Sequence, residues 1–190
     1  YRVRLVQAGP DAVTPLGEPR AFRLRAVENL PEGTDVMAAA AFRREVSDML
    51  RRLAAVRGTL GEIEERLRYL RAALDAAPGA DADLHLRMDA LRRAVADVRV
   101  TLSGNPARRR LSEFDVPGVS GRLGAAAGAL STRMGPTATQ QENLALARDG
   151  LADVEGRVSA LRAEDLPALE AALAEAGAPW TPGQRLGSGS

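Results

Sequence analysis

The chain has 190 residues, with 26 basic and 25 acidic side chains and a single histidine, for a net charge of +1. It contains no cysteine, which excludes disulfides, thiol catalysis and cysteine-based metal sites. Hydrophobic residues at 45% and charged residues at 27% exclude a disordered chain, and aromatics at only 3%, in an alanine-rich background, favour helices over a β-sandwich core.

The first thirty residues read as strands. Tyr1, Val3 and Leu5 alternate with Arg2 and Arg4, and Phe22, Leu24 and Ala26 alternate with Arg23 and Arg25. A period of two with a polar second face is the pattern of a half-buried strand. Gly9-Pro10, Pro15, Gly17 and Pro19 between the two runs predict a loop, so that residues 1–6 and 20–27 pair antiparallel. Two strands cannot bury an apolar face of Tyr1, Val3, Leu5, Phe22 and Leu24 between themselves. The pair over residues 1–30 must therefore pack on the helices or be the end of a truncated sheet, and a start at mid-strand Tyr1 favours the second reading. In the absence of the rest of that sheet the strands are expected to dock beside the first turns of the following helix, near Phe42, or to pair with a second copy.

Leu30-Pro31-Glu32-Gly33 breaks the strand pattern, and Thr34 or Asp35 can cap a helix that starts just after them. Phe42, Val46, Met49, Leu53, Val56, Leu60, Ile63, Leu67, Leu70 and Leu74 are spaced alternately by four and three. This is a heptad seam more than four heptads long, and it predicts one long helix from about Val36 to Leu74 that needs partners along its length. After Ala77-Pro78-Gly79, the same spacing recurs in Leu84, Met88, Leu91, Val95, Val98 and Leu102, ended by Ser103-Gly104-Asn105-Pro106. A polar connection with Arg108-Arg109-Arg110 comes next. A third seam, rich in alanine and glycine, is Val119, Leu123, Ala126, Leu130 and Met134. Thr137 with Gln140, or Thr139 with Glu142, forms a capping box. The fourth seam is Leu144, Ala147, Leu151, Val154, Val158 and Leu161, after which Asp165-Leu166-Pro167 restarts a short helix through Leu169 and Leu173. The prediction is a mainly α chain: an up-and-down antiparallel bundle of about four helices over residues 31–180, preceded by a short β-strand pair, with a tail at 181–190 that ends as an appended flexible linker.

Chemistry-bearing residues do not converge. Asp81, Asp83, His85 and Asp89 gather at a helix start, where capping and favourable charge account for them. The Arg108–Arg110 triplet lacks both stacking aromatics and a net basic chain, so nucleic acid is not an expected partner. Ser112, Ser120 and Ser131 lie in no nucleophile elbow and have only a distant histidine. Trp180 is expected to pack on the bundle end. No apolar run reaches the ~20 residues of a membrane span, so no membrane partner is expected. The residues themselves nominate no catalytic, cofactor-binding or metal-binding residue and no cofactor.

The order of features, Tyr-Arg-Val-Arg-Leu, then Phe-Arg-Leu-Arg-Ala-Val, then a long helix, Gly135-Pro136-Thr137-Ala138-Thr139-Gln140 and Glu164-Asp165-Leu166-Pro167-Ala168-Leu169, resembles the C-terminal region of large bacterial proteins with sortilin-like β-propellers, often labelled glycosyl hydrolase or BNR/Asp-box repeat proteins. That family more often has Asn where this chain has Glu170, so the resemblance attaches no role to the position. It implies that residues 1–30 are the end of a truncated β-sandwich-like domain, and it implies a secreted or periplasmic parent whose β-propeller or β-sandwich domains are the partners of this region, with any hydrolase chemistry in the propeller. The expected function is a non-catalytic structural or protein-interaction module. An accessory part of a carbohydrate- or peptide-processing hydrolase is the alternative, and a helical sensor domain a weaker one.

Overall fold

The computed structural model describes residues 1–10, 12–25, 30, 32–132 and 134–182. The strand end expected at Ala26 and Val27, the break at Pro31 and the linker-like residues 186–190 lie outside the described residues. The chain is mainly helical, with short antiparallel strands at its start and about four long helices.

Helix α1 runs from Val36 to Ala76, 41 residues, or roughly 60 Å at 1.5 Å per residue. Asp35 caps it by accepting from the backbone N–H groups of Met37 and Ala38 at 3.0 and 2.9 Å. All ten residues of its predicted seam are buried. Helix α2, Ala82–Ser103, returns antiparallel along the C-terminal half of α1: Arg99 Nε donates to Glu64 at 2.9 Å and Arg71 Nη1 to Asp89 at 3.3 Å. The predicted polar connection holds a short helix α3, Pro106–Arg110, because Asn105 caps it and Pro106 supplies a first-turn residue with no N–H to satisfy. Helix α4, Val119–Ala127, continues the return along the N-terminal half of α1, where Arg57 Nη2 donates to Ser120 Oγ at 2.6 Å and Arg43 Nε to the Ala129 carbonyl at 3.3 Å. Helices α2 and α4 thus form one interrupted return arm against the α1 spine.

The joint in that arm is tight. A Cβ at Gly118 would lie 2.7 Å from the Gly104 nitrogen and 2.8 Å from the Thr101 carbonyl oxygen, both backbone. Gly104 itself has φ +81°, a conformation that side chains disfavour. Backbone cannot step aside as a flexible side chain can, so Gly118→Ala is expected to cost about 1–3 kcal/mol as overpacking. Urea unfolding checks this, with Gly124→Ala, where nothing lies within 4 Å of the added carbon, as the neutral comparison.

The third seam departs from its prediction at the end. Val119, Leu123 and Ala126 are buried, but Leu130 and Met134 are exposed and Ala129 is buried instead. The chain tightens into a 3₁₀ turn at Gly128–Ser131, and three residues per turn bring Ala129, three after Ala126, onto the core side. The small residues do allow close approach: a Cβ on Gly150 would come within 2.9 Å of Val119.

Helix α5, Ala138–Ala160, begins with the Thr137/Gln140 capping box and runs parallel to α1. Arg148 pairs with Glu45 and Glu155 with Arg52, each partner 103 residues away along the chain. The expected break and restart at Asp165 is absent. Instead α5 passes through a π turn, Leu161–Asp165, in which the Leu166 N–H reaches back to the Leu161 carbonyl, into α6, Leu166–Glu175. Pro167 lacks an N–H, and its ring would clash in an uninterrupted α-helix; the wider turn accommodates both. One residue is thereby inserted, and the next pair, Arg66 with Glu170, is 104 residues apart. The core is continuous from Phe42 to Leu173, with three helices at each level of the spine.

The N-terminal segment also differs from its prediction. It is a ribbon of four very short strands, β1 Arg2–Val3 with β4 Arg20–Ala21 and β2 Val6–Ala8 with β3 Val13–Pro15. The predicted loop therefore contains the inner hairpin, closed by the Gly9 N–H on the Ala12 carbonyl at 2.8 Å. Docking near Phe42 is not observed, since every described residue from 1 to 25 is exposed. The bundle's own chain serves that end of α1, where the Arg43 guanidinium donates to the carbonyls of Ala129, Thr132 and Met134.

Candidate functional site

Two features of the described residues go beyond a satisfied helical bundle. The first is the ribbon. Tyr1 stacks on Phe22 with ring centroids 5.6 Å apart, and the Phe22 N–H bonds to the Tyr1 carbonyl at 2.9 Å. The pair is ordered by its own partners, yet Tyr1 remains 74% exposed, Leu5 70% and Leu24 67%. Val3, Val13 and Leu16 are exposed as well. An apolar surface of this extent on a short ribbon with open backbone edges is suited to strand addition or to packing against another apolar face.

The second is Arg66, the one buried charged residue among those described. It faces α6 from the C-terminal half of α1. Its Nε donates to Glu170 Oε1 at 2.6 Å and its Nη1 to the Pro182 carbonyl, while the buried Nη2 has no hydrogen-bond partner among the described residues. Around it α1, the π turn and α6 leave a groove of about 960 Å³, lined also by Tyr69, Arg162 and Pro167. The Tyr69 hydroxyl meets Glu65 at 3.3 Å, and Arg68 lies over the Tyr69 ring at 5.4 Å. The arrangement fixes three segments that are remote in sequence: the spine, α6 and the chain at Pro182. It is a clamp, with the guanidinium fork holding one carboxylate and one carbonyl.

The residues weighed from sequence are dispersed over the bundle. Asp81 caps α2 through the Leu84 N–H at 2.9 Å, Asp83 pairs with Arg87 at 2.6 Å, and Asp89 pairs with Arg71 at 3.3 Å. With His85 they form no ligand set: among the described residues no group of three or more His, Asp or Glu side chains could hold a metal ion. Ser120 accepts from Arg57, and Ser131 Oγ donates to the Gly128 carbonyl at 2.9 Å. Ser112 sits at φ 55° in the turn after α3. Arg108, Arg109 and Arg110 line the exposed α3, and Arg108 Nη1 reaches the Phe114 carbonyl at 3.5 Å. Trp180 does not pack on the bundle end as expected; it is 63% exposed. The chain turns at Gly177, φ 74°, and the neighbouring close contact is instead made by Gly79, whose N–H bonds to the Ala176 carbonyl at 3.0 Å. Glu170, to which the resemblance attached no role, is the partner of the buried guanidinium.

Among the remaining charged groups, Arg52 is held above its ordinary value, first by the hydrogen bond to Glu155. It remains a cation and supplies no proton-transfer group. Among the described residues no helix is long and apolar enough to cross a membrane. No family model matches the chain, and neither a curated protein nor a solved structure matches it.

Proposed function

We propose that the chain is a non-catalytic structural or protein-interaction module, whose helical bundle presents the N-terminal ribbon to a β-rich partner. The observation that carries this reading is a contrast in burial. The seams of α1, α2 and α5 are fully buried, whereas the ribbon orders its backbone and leaves its apolar side chains in solvent. Burying them against a partner is favourable at about 25 cal/mol per Å² of apolar surface. The resemblance to the propeller proteins suggests who that partner is: β-propeller or β-sandwich domains of an exported bacterial parent, adding strands or apolar surface to the ribbon. When no such domain is present, a second copy of the chain offers the same edge and the same face, and a homodimer is the expected substitute.

Deleting residues 1–29 tests the reading. The bundle is expected to keep a single cooperative melt, because no described residue of the ribbon contributes to its core, while any dimer fraction seen by light scattering falls. Loss of cooperative unfolding would make the ribbon part of the bundle's core. An unchanged dimer fraction would move the association elsewhere on the molecule.

A further inference from the structure

We infer that a second interaction surface lies in the groove between α1 and α2, and that it takes an acidic amphipathic helix from a partner protein. The surface is separate from the ribbon and does not depend on it. The two antiparallel helices leave a groove of about 510 Å³. Its floor is apolar, made of Leu67 of α1 with Val95 and Val100 of α2, and its rim carries Arg68, Arg71, Arg92 and Arg99 against one acid, Glu64. Positive charge continues past the groove's end at Pro106. From residue 92 to residue 110 the chain has six arginines, including Arg108–Arg110, against the single acid Asp97. In a chain of net charge +1 this is a local concentration of charge and not a general property.

Arg71 and Arg99 are paired, with Asp75 and Asp89 and with Glu64, but the other two rim arginines are not locked. Arg92 approaches Asp89 only at 4.0 Å, and Arg68 meets Glu65 at 3.1 Å with side chains 70% and 58% exposed. Exposed pairs of this kind contribute little, so exchanging them for a partner's carboxylates costs little. Beside α3, Leu111 and Phe114 are also strongly exposed, which adds apolar anchors to the basic surface.

Shape and chemistry together favour a helix. The lining positions on α2, 92, 95, 96, 99 and 100, form one helical face about 12 Å long, or just over two turns at 1.5 Å per residue. A third helix set into the groove between two antiparallel helices repeats the packing already used on the other side of α1. Apolar residues at i, i+3/i+4 and i+7 would meet the floor, and flanking carboxylates would meet the rim. A concave apolar floor is not filled by a flat bilayer, and the groove lacks the stacked aromatics of a single-stranded nucleic-acid channel.

The test uses the full chain and a fluorescein-labelled 16-residue helical peptide with leucine at i, i+3/i+4 and i+7 and glutamate on both flanks. Fluorescence anisotropy is expected to show saturable binding. It should weaken about tenfold for the Arg68→Glu/Arg92→Glu double variant and about tenfold for a peptide whose leucines are replaced by serine. Arg44→Glu, an exposed change outside the groove, should bind as the parent does, and unchanged circular dichroism and melting temperature show that the variants fold. The chain lacking residues 1–29 should bind equally well, which separates this surface from the ribbon. No saturable binding, equal binding of a lysine-flanked peptide, no loss on the leucine-to-serine change, or tighter binding of an oligonucleotide or of anionic phosphatidylserine vesicles than of the peptide would each overturn the assignment.

Discussion

Leu60→Ala is expected to destabilise the bundle by about 2–5 kcal/mol, the range for deleting a buried leucine whose surroundings cannot collapse. Leu60 has no exposed surface and sits at the middle of the spine. Three tie points bracket it: Arg57 on Ser120 of α4, Glu64 with Arg99 of α2, and Arg52 with Glu155 of α5. It therefore lies level with the joint in the return arm, where Gly118 already meets the backbone of α2. A helix that moved to fill the cavity would have to break that contact or shift several cross-helix pairs together. The loss should thus sit in the upper part of the range. At about 2–4 °C per kcal/mol for a chain of this size, it should appear as a melting temperature lower by roughly 8–20 °C. Leu86→Ala, on the exposed side of α2, should stay within about 0.5 kcal/mol. A loss that small at Leu60 would mean that α2 and α4 do not close over the spine as described.

The bundle was legible because its signal is long and redundant. The seam residues of α1 recur at a spacing that no strand or loop would keep for ten positions, and Asp35, Asp81 and Thr137 stand where caps are needed. The departures are local and have local causes. A 3.6-residue period carried on to Leu130 and Met134 crosses a segment that winds with three residues per turn. The inner hairpin was hidden because Gly9, Pro10 and Pro15 signal a turn equally well in a loop and at a hairpin tip. The π turn did leave a trace. Leu161 and Leu166 are five apart where the seam otherwise steps by three or four, and a proline comes immediately after. Taken together, those two facts mark an inserted residue. Arg66 was the least legible. It precedes Leu67 in a helix with many surface arginines, and only the re-registration by the π turn brings Glu170 and the carbonyl of Pro182 over it.

Arg66 and Glu170 supply the second large effect, and its sign depends on which partner is removed. Glu170→Ala leaves a guanidinium whose side chain is only 10% exposed without its carboxylate, with the Pro182 carbonyl as its remaining partner. Desolvation of the cation then goes uncompensated, and a loss of about 3 kcal/mol is expected. Arg66→Ala removes the charge and its packing together, leaves Glu170 free to turn toward water at the groove, and should cost less. Arg66→Met keeps the apolar stem, and it also removes a buried Nη2 that has no hydrogen-bond partner among the described residues. Replacing a buried pair member by an apolar side chain of similar volume is often neutral, provided its former partner can be solvated. Glu170 can be, since 22% of its side chain is already exposed. The expected order of stability in urea is therefore wild type about equal to Arg66→Met, then Arg66→Ala, then Glu170→Ala, with the double variant Arg66→Met/Glu170→Ala recovering most of the Glu170→Ala loss. If the double variant is instead as unstable as Glu170→Ala, the carboxylate supports α6 through contacts other than Arg66, and the clamp is not what joins the spine to the end of the chain.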